Sequence, residues 1–468
     1  MKPWFDDACS LADAIRRGEI RATDALEASL GAIAGSHLNA VTYLDAEGAG
    51  RAAEDVDRRV RTGDDPGPFA GVPILVKDLE DAAGMPTTEG SVVFKDRIAE
   101  RDGTHVARIR AAGAVIVGKS AAPEFGLVGY TATKLHGVTR NPWNTERTPA
   151  GSSGGSAAAV AGGLVPIATA TDGGGSIRIP AAYCGLVGLK GTYGRIPRGP
   201  EARNGQLTSS LGTVSRSVRD TARWFDVASG YDARDPFSLP RADGWESSLG
   251  ARDVQGMRAV VSPALGGTAV VHPEVQQIVG EAAEALVDAA GLRLAETGVQ
   301  IPEGGLKWAR AGLPGLWADL KDHWPACKDD LTFEIRAGME FADSYRVWHA
   351  AGVDRFRVEM NEAMAGLFEQ TDFVLCAVSP VEPFAAEGPM PRYVGEEKVN
   401  PYNGGALTIP GSISGYPAIS IPAGFSASGL PIGLQVYARR HEEALLLELA
   451  LIMERARPWP LVAPGAPV

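Results

Sequence analysis

Between Pro149 and Ala181 two clusters of serine and glycine, Gly151-Ser152-Ser153-Gly154-Gly155-Ser156 and Gly173-Gly174-Gly175-Ser176, flank a run of small residues and an apolar stretch. Glycine has no Cβ, so backbone N–H groups in such a loop can converge on one point. Donors supplied by Gly173, Gly174, Gly175 and Ser176 would suit an oxyanion developing during acyl transfer, and Ser176 would sit beside them. The same glycines could instead serve only tight turns and close packing. A serine hydroxyl also needs a base. The seven histidines, His37, His105, His136, His272, His323, His349 and His441, lie in no catalytic setting that can be identified. Lys77 ends the apolar run Val72-Pro73-Ile74-Leu75-Val76, and it would either emerge into a site or reach solvent. Burial disfavours the ammonium form, and lowering a lysine by roughly 3 units from its ordinary value costs about 4 kcal/mol.

These residues must be held by elements legible in the pattern. Val72 to Val76, Ala114 to Val117, Val165 to Ala170, Ala259 to Val261, Phe373 to Val378 and Ala418 to Ile421 are apolar without alternation. Such runs are expected of strands covered by helices on both faces, which predicts an α/β fold on a parallel or mixed sheet. Arg108 to Ala112, Ser156 to Ala161 and His441 to Arg455 read as helices. The N-terminal stretch reads as helical too, with Ser10 as an N-cap ahead of Leu11, Ala14 and Ile15. Thr23 precedes an apolar stripe of Leu26, Leu30 and Ile33. Turn formers at Asp64-Asp65-Pro66-Gly67-Pro68 mark a junction, predicting an N-terminal helical arm over 1–63 packed on a core of 64–468 within one compact domain. The segment from about 201 to 370 is variable in pattern and holds Trp308, Trp317 and Trp324, aromatic residues that would either fill a core or cap a pocket.

The chain has 468 residues, 45% of them hydrophobic and 22% charged, with a formal charge of −12. That charge argues against a nucleic-acid-binding surface, which needs clustered Lys and Arg. Cys9, Cys184, Cys327 and Cys376 form no CxxC pair, so neither a metal site nor a disulfide framework is expected. The first residues lack an apolar signal stretch, and Ala444 to Met453 is too short to span a bilayer, so a cytoplasmic protein without a membrane segment is expected. Two motifs compete with the acyl-transfer reading. Gly113 to Ser120 fits the P-loop pattern, yet its Ala-Val-Ile-Val centre favours a strand where phosphates need a turn. Gly151-Ser152-Ser153-Gly154-Gly155 fits a nucleophile elbow with Ser153 attacking, as in an α/β-hydrolase-type esterase, but polar turn residues stand where a strand should precede it.

The whole pattern resembles the amidase signature family. The two serine clusters with Thr171-Asp172 and Arg178-Ile179-Pro180 match its signature run, Ser152 and Ser176 standing 24 positions apart. Gly71 to Asp78 is similar to the segment bearing the family's lysine. Gly84-Met85-Pro86-Thr87-Thr88, Asn141-Pro142-Trp143-Asn144 and Gly429 to Gln435 match as well. The resemblance implies the amidase signature fold, a large mixed β-sheet covered on both faces by helices. It also implies a Ser–cis-Ser–Lys triad: Lys77 takes a proton from Ser152, which follows a cis peptide and takes one from the nucleophile Ser176. Ser153 would support the lysine, Asp172 and Arg178 would tie the glycine loop in place, and Glu124-Phe125-Gly126-Leu127 would border the acyl pocket. Phe125, Gly126, Leu127 and Trp317 are the expected pocket residues. Ala150 and Leu79 replace a common glycine and asparagine, and Gly173 stands where a larger residue is usual. The resemblance implies hydrolysis of small-molecule amides, extending to esters and carbamates (urethanase activity), with no cofactor or metal, in a monomer or homodimer. The family also includes the glutaminase subunit of a tRNA-dependent amidotransferase, which works only within a complex.

Overall fold

The computed structural model describes residues 6–200, 207–464 and 466. Helices α1 (Ala8–Arg16), α2 (Ala22–Ala34) and α3 (Ala46–Thr62) open the chain, with strand β1 (Val41–Leu44) between the last two. Asp7, not Ser10, caps α1: its carboxylate accepts the Ser10 amide at 2.7 Å, which places Ser10 inside the first turn. Asp57 of α3 likewise accepts the amides of Ala22 and Thr23 and the Thr23 hydroxyl, so Thr23 lies within α2. A side chain distant in sequence can outbid a local capping signal, because the orphan N–H groups of a helix start take any well-placed acceptor.

The middle of the chain runs β2 (Pro73–Lys77), α4 (Thr104–Ala111), β3 (Val115–Ser120), the short pair β4 (Ala132–Thr133) and β5 (Gly137–Val138), α5 (Gly154–Ala161), β6 (Ile167–Asp172), α6 (Arg178–Cys184), β7 (Val187–Lys190), β8 (Ser210–Ser215) and α7 (Val218–Ala228). After these come β9 (Arg258–Val261), α8 (Pro273–Ala290), β10 (Arg293–Leu294) and three helices, α9 (Gly305–Leu320), α10 (Phe333–Ala342) and α11 (Val347–Gln370). The chain closes with β11 (Phe373–Ala377), the pair β12 (Tyr393–Val394) and β13 (Glu397–Lys398), α12 (Ile409–Ser414), β14 (Ala418–Phe425), β15 (Pro431–Ala438) and α13 (Glu443–Ala456).

Eleven strands form one sheet in the order β1-β3-β2-β6-β8-β7-β14-β15-β11-β9-β10. The mixture is visible in the pairing: β3, β2 and β6 run parallel, while β8, β7, β14 and β15 alternate direction. All six runs read as strands are present. Every residue of β2, β3 and β6 is buried, as apolar runs without alternation require. The sheet is therefore the mixed, helix-covered α/β core expected. The arm also contributes to it, because β1 pairs antiparallel with β3 at its edge.

Two packing details position the chemistry. Helix α5, Gly-Gly-Ser-Ala-Ala-Ala-Val-Ala, is buried at all eight residues. A Cβ on Gly155 would come within 2.3 Å of the Ala121 amide nitrogen, so only glycine lets the helix lie this close to the end of β3. Ser156 then bridges the sheet, with its hydroxyl 2.7 Å from both Ser120 Oγ and the Thr169 carbonyl. The P-loop reading fails here: Val115–Ser120 is a buried strand, and Lys119 is fully buried, its ammonium donating to the Glu80 carbonyl and Thr87.

Candidate active site

β2 and β6 are adjacent and parallel, so their C-terminal ends emerge at the same edge of the sheet. Alternation along β6 turns Thr169 and Thr171 to the same face. Thr169 Oγ1 accepts the Lys77 amide at 2.9 Å, and Thr171 Oγ1 lies 2.8 Å from Lys77 Nζ. Ser152 and Ser153, just ahead of α5, present their hydroxyls to the same nitrogen at 2.8 and 2.9 Å. The peptide between Gly151 and Ser152 is cis. Lys77 and Ser153 are fully buried and Ser152 nearly so. Burial lowers Lys77 to about 7, although the carboxylates of Glu80, Asp172 and Glu89 pull the other way. The amine is therefore available as a base near neutral pH.

Ser153 fixes how the protons are shared. Its hydroxyl donates to the Thr171 carbonyl and accepts the Thr171 amide, both at 3.3 Å. The remaining lone pair accepts from Lys77, which must then spend one N–H on Ser153. A neutral amine keeps one further N–H and one lone pair for Ser152 and Thr171. Ser153 is thus saturated and buried, and no strand precedes Gly151, so the elbow reading of Ser153 does not fit.

The second cluster forms the turn between β6 and α6. Asp172 accepts Arg178 Nε and Nη2 at 2.8 and 2.9 Å, both residues being wholly buried. The same carboxylate accepts the amides of Gly175 and Ile177. Burial would raise Asp172, but the Arg178 guanidinium and these donors hold it down at about 2. Arg178 in turn donates to Gln435 and Ser412, residues to which the sequence reading gave no role. The Gly173 carbonyl accepts Trp308 Nε1 at 2.6 Å, the Gly174 carbonyl accepts Thr408 Oγ1 at 2.6 Å, and the Gly175 carbonyl accepts the Ile179 amide. The Ser176 carbonyl accepts the Ser153 amide at 3.3 Å, which ties the two clusters together. Among the described residues, the amides of Gly173, Gly174 and Ser176 meet no protein acceptor, and these three residues are only half-buried. The Gly175 amide is occupied by Asp172, which narrows the expected donor set to the other three.

Gly126, at φ +68°, sits against the serines: a Cβ there would lie 3.2 Å from Ser152 Oγ. Phe125 and Leu127 pack against a satellite cluster of Leu316, Leu320, Ile335 and Met339 from α9 and α10. These helices are latched by Glu124, which accepts Ser91 Oγ on one oxygen and the Thr332 amide and hydroxyl on the other. Tyr130 adds a 2.9 Å hydrogen bond to Glu334. Trp317 is 45% exposed with Lys321 over its ring, and the tryptophan of α9 that reaches the glycine loop is Trp308. Among the described residues no group of His, Cys, Asp and Glu could hold a metal ion, and no helix is long and apolar enough to cross a membrane.

The family model described as Amidase matches residues 24–318 and 327–447. An acylamidase of Rhodococcus erythropolis is 34% identical, over 90% of this chain and 89% of that protein. The A subunit of glutamyl-tRNA(Gln) amidotransferase from Desulforapulum autotrophicum is 32% identical, over 92% of each. Among solved structures, a bacterial aryl acylamidase of the amidase signature enzymes superposes with a TM-score of 0.92 at 28% identity, covering 98% of this chain and 97% of the other. The amidotransferase A subunit from Thermotoga maritima gives 0.73 at 29% identity, covering 96% and 95%. With the fold, the lysine-centred serine cluster and the glycine loop in place, the chain belongs to the amidase signature family and is a hydrolase of carbon–nitrogen bonds.

Proposed function

We propose that this protein is a small-molecule amidase that cleaves aryl and alkyl amides and anilides through an acyl-enzyme, with esters and carbamates as further substrates. The observation that carries the reading is the neutral-leaning amine of Lys77 against Ser152 Oγ at 2.8 Å, inside a buried cluster. With its two N–H groups directed at Ser153 and Thr171, the lone pair faces Ser152. Ser152 then passes its proton to Lys77 while taking that of Ser176, and Ser176 attacks the carbonyl carbon. The tetrahedral oxyanion is met by the open amides of Gly173, Gly174 and Ser176. Lys77 returns the proton through Ser152 to the leaving nitrogen, the C–N bond breaks, and water repeats the sequence on the acyl-enzyme. Phe125, Gly126 and Leu127 border the acyl side.

The similarity in shape to an aryl acylamidase, closer than to the amidotransferase subunit, supports a stand-alone amidase. The test is fluorophosphonate labelling of the purified chain with peptide mapping, beside hydrolysis of a simple anilide. Label on Ser176 and turnover by the isolated chain are expected. Label on Ser153 would overturn the assignment of roles. Label on Ser176 with no turnover until a partner subunit is added would favour the amidotransferase reading.

A further inference from the structure

The peptide plane joining Gly173 to Gly174 carries the Gly173 carbonyl on one side and the Gly174 N–H on the other, pointing in opposite directions. Whatever holds the carbonyl therefore aims the amide. The holder is Trp308, in the first turn of α9, whose indole N–H donates to the Gly173 carbonyl at 2.6 Å. Its ring also closes on Gly174, where an added Cβ would lie 2.7 Å from two ring carbons. The neighbouring planes are held from the core instead: Thr408 fixes the one carrying the Gly175 amide, and Ile179 the one carrying the Ser176 amide.

We infer that Trp308 is a positioning residue that aims the Gly174 amide at the oxyanion, so that a helix of the variable segment sets part of the catalytic rate. The inference rests on the proposed role of the glycine loop. Gly173 strengthens the case. It has no positive φ, and among the described residues a Cβ there would meet nothing closer than Thr208 Oγ1 at 3.8 Å, so their packing does not demand glycine. A glycine with no steric reason leaves the plane free to turn about its own bonds, and the indole is what removes that freedom.

The experiment compares wild type, Trp308→Phe and the double variant Trp308→Phe/Gly173→Ala. Phenylalanine keeps a ring against Gly174 but removes the N–H, and alanine narrows the backbone freedom at 173. The readouts are the rate of fluorophosphonate labelling at Ser176, kcat and KM on an activated ester, and the melting temperature. Outright removal of an oxyanion donor slows an enzyme by about 10²–10³-fold. Loss of its aim is therefore expected to slow labelling and kcat roughly ten-fold, with KM and melting temperature held and several-fold recovery in the double variant. Wild-type labelling by Trp308→Phe, or a loss confined to KM or accompanied by melting, would overturn the inference while leaving the proposed function intact. Absence of label on Ser176 in the wild type would overturn both.

Discussion

Lys77, the base of the proposed relay, is fully buried among three hydroxyls, and burial lowers it to about 7. For Lys77 this leads to a pH–rate profile: kcat/KM for an anilide should rise about ten-fold per pH unit below 7 and level off above it, as the amine loses its proton. Lys77→Ala should abolish turnover, and Ser152→Ala should lower it by about 10³-fold with the fold intact, judged by circular dichroism. Full activity in either would end the relay mechanism. The residues of the proposed relay could be named from the resemblance, and the structure brings three of the residues so named, Lys77, Ser152 and Ser153, into one cluster. Thr171 lay in the signature run, yet its role needed the strand pairing, since only the parallel register of β2 against β6 shows that its hydroxyl meets the lysine.

At the scale of elements, the turn from β6 to α6 and the packing of α5 hold the two serine clusters in register. Arg178 is the sole cation bonded to Asp172 among the described residues, and its loss leaves a buried carboxylate uncompensated. Arg178→Met is expected to destabilise the protein by about 3–5 kcal/mol, read from chemical denaturation. A cost near zero would mean that the amides of Gly175 and Ile177 suffice. Gly155→Ala is expected to cost about 1–3 kcal/mol, because its methyl overlaps the Ala121 backbone. The melting temperature checks it, and an unchanged value would show that α5 can shift. The strands flanking the site were readable as unbroken apolar runs. β7, β8 and β15 were not: β7 and β8 each carry a glycine, β8 adds three hydroxyl residues, and β15 was matched as a motif with no element assigned. Their strand character comes from a central place in the sheet, which propensity does not reveal. The cap of α1 is Asp7, three residues ahead of the expected Ser10, and the start of α2 is held by Asp57, which lies 35 residues beyond Ala22 and outside any local pattern.

For the molecule as a whole, keeping Lys77 neutral makes stability depend on pH. Its folded value, about 7, lies below the ordinary 10.5, so between pH 7 and 10.5 the unfolded chain binds a proton that the folded one does not, while below pH 7 the folded chain must hold the charged lysine in its buried site. The penalty is full there and fades as pH climbs to 10.5, at about 1.4 kcal/mol per unit. The wild type should therefore gain stability relative to Lys77→Met between pH 7 and 10, measured by paired denaturation curves. Parallel curves would show that the lysine keeps its proton. The overall α/β architecture was legible from the apolar runs alone. What the 201–370 segment does was not, because its tryptophans carry no periodicity that separates Trp308, against the glycine loop, from the exposed Trp317.

The latch between Glu124 and Thr332, with Tyr130 on Glu334, joins α10 to the core through a handful of polar contacts beside an apolar seam. Residues 305–342 make none of the bonds to the lysine amine, so exchanging them for a relative's segment would leave Lys77, Ser152 and Ser153 in place. The exchange would still not be neutral in speed. Under the role inferred for Trp308, which lies in the same segment, such an exchange would also alter how the glycine loop is held, so that substrate range and rate would change together.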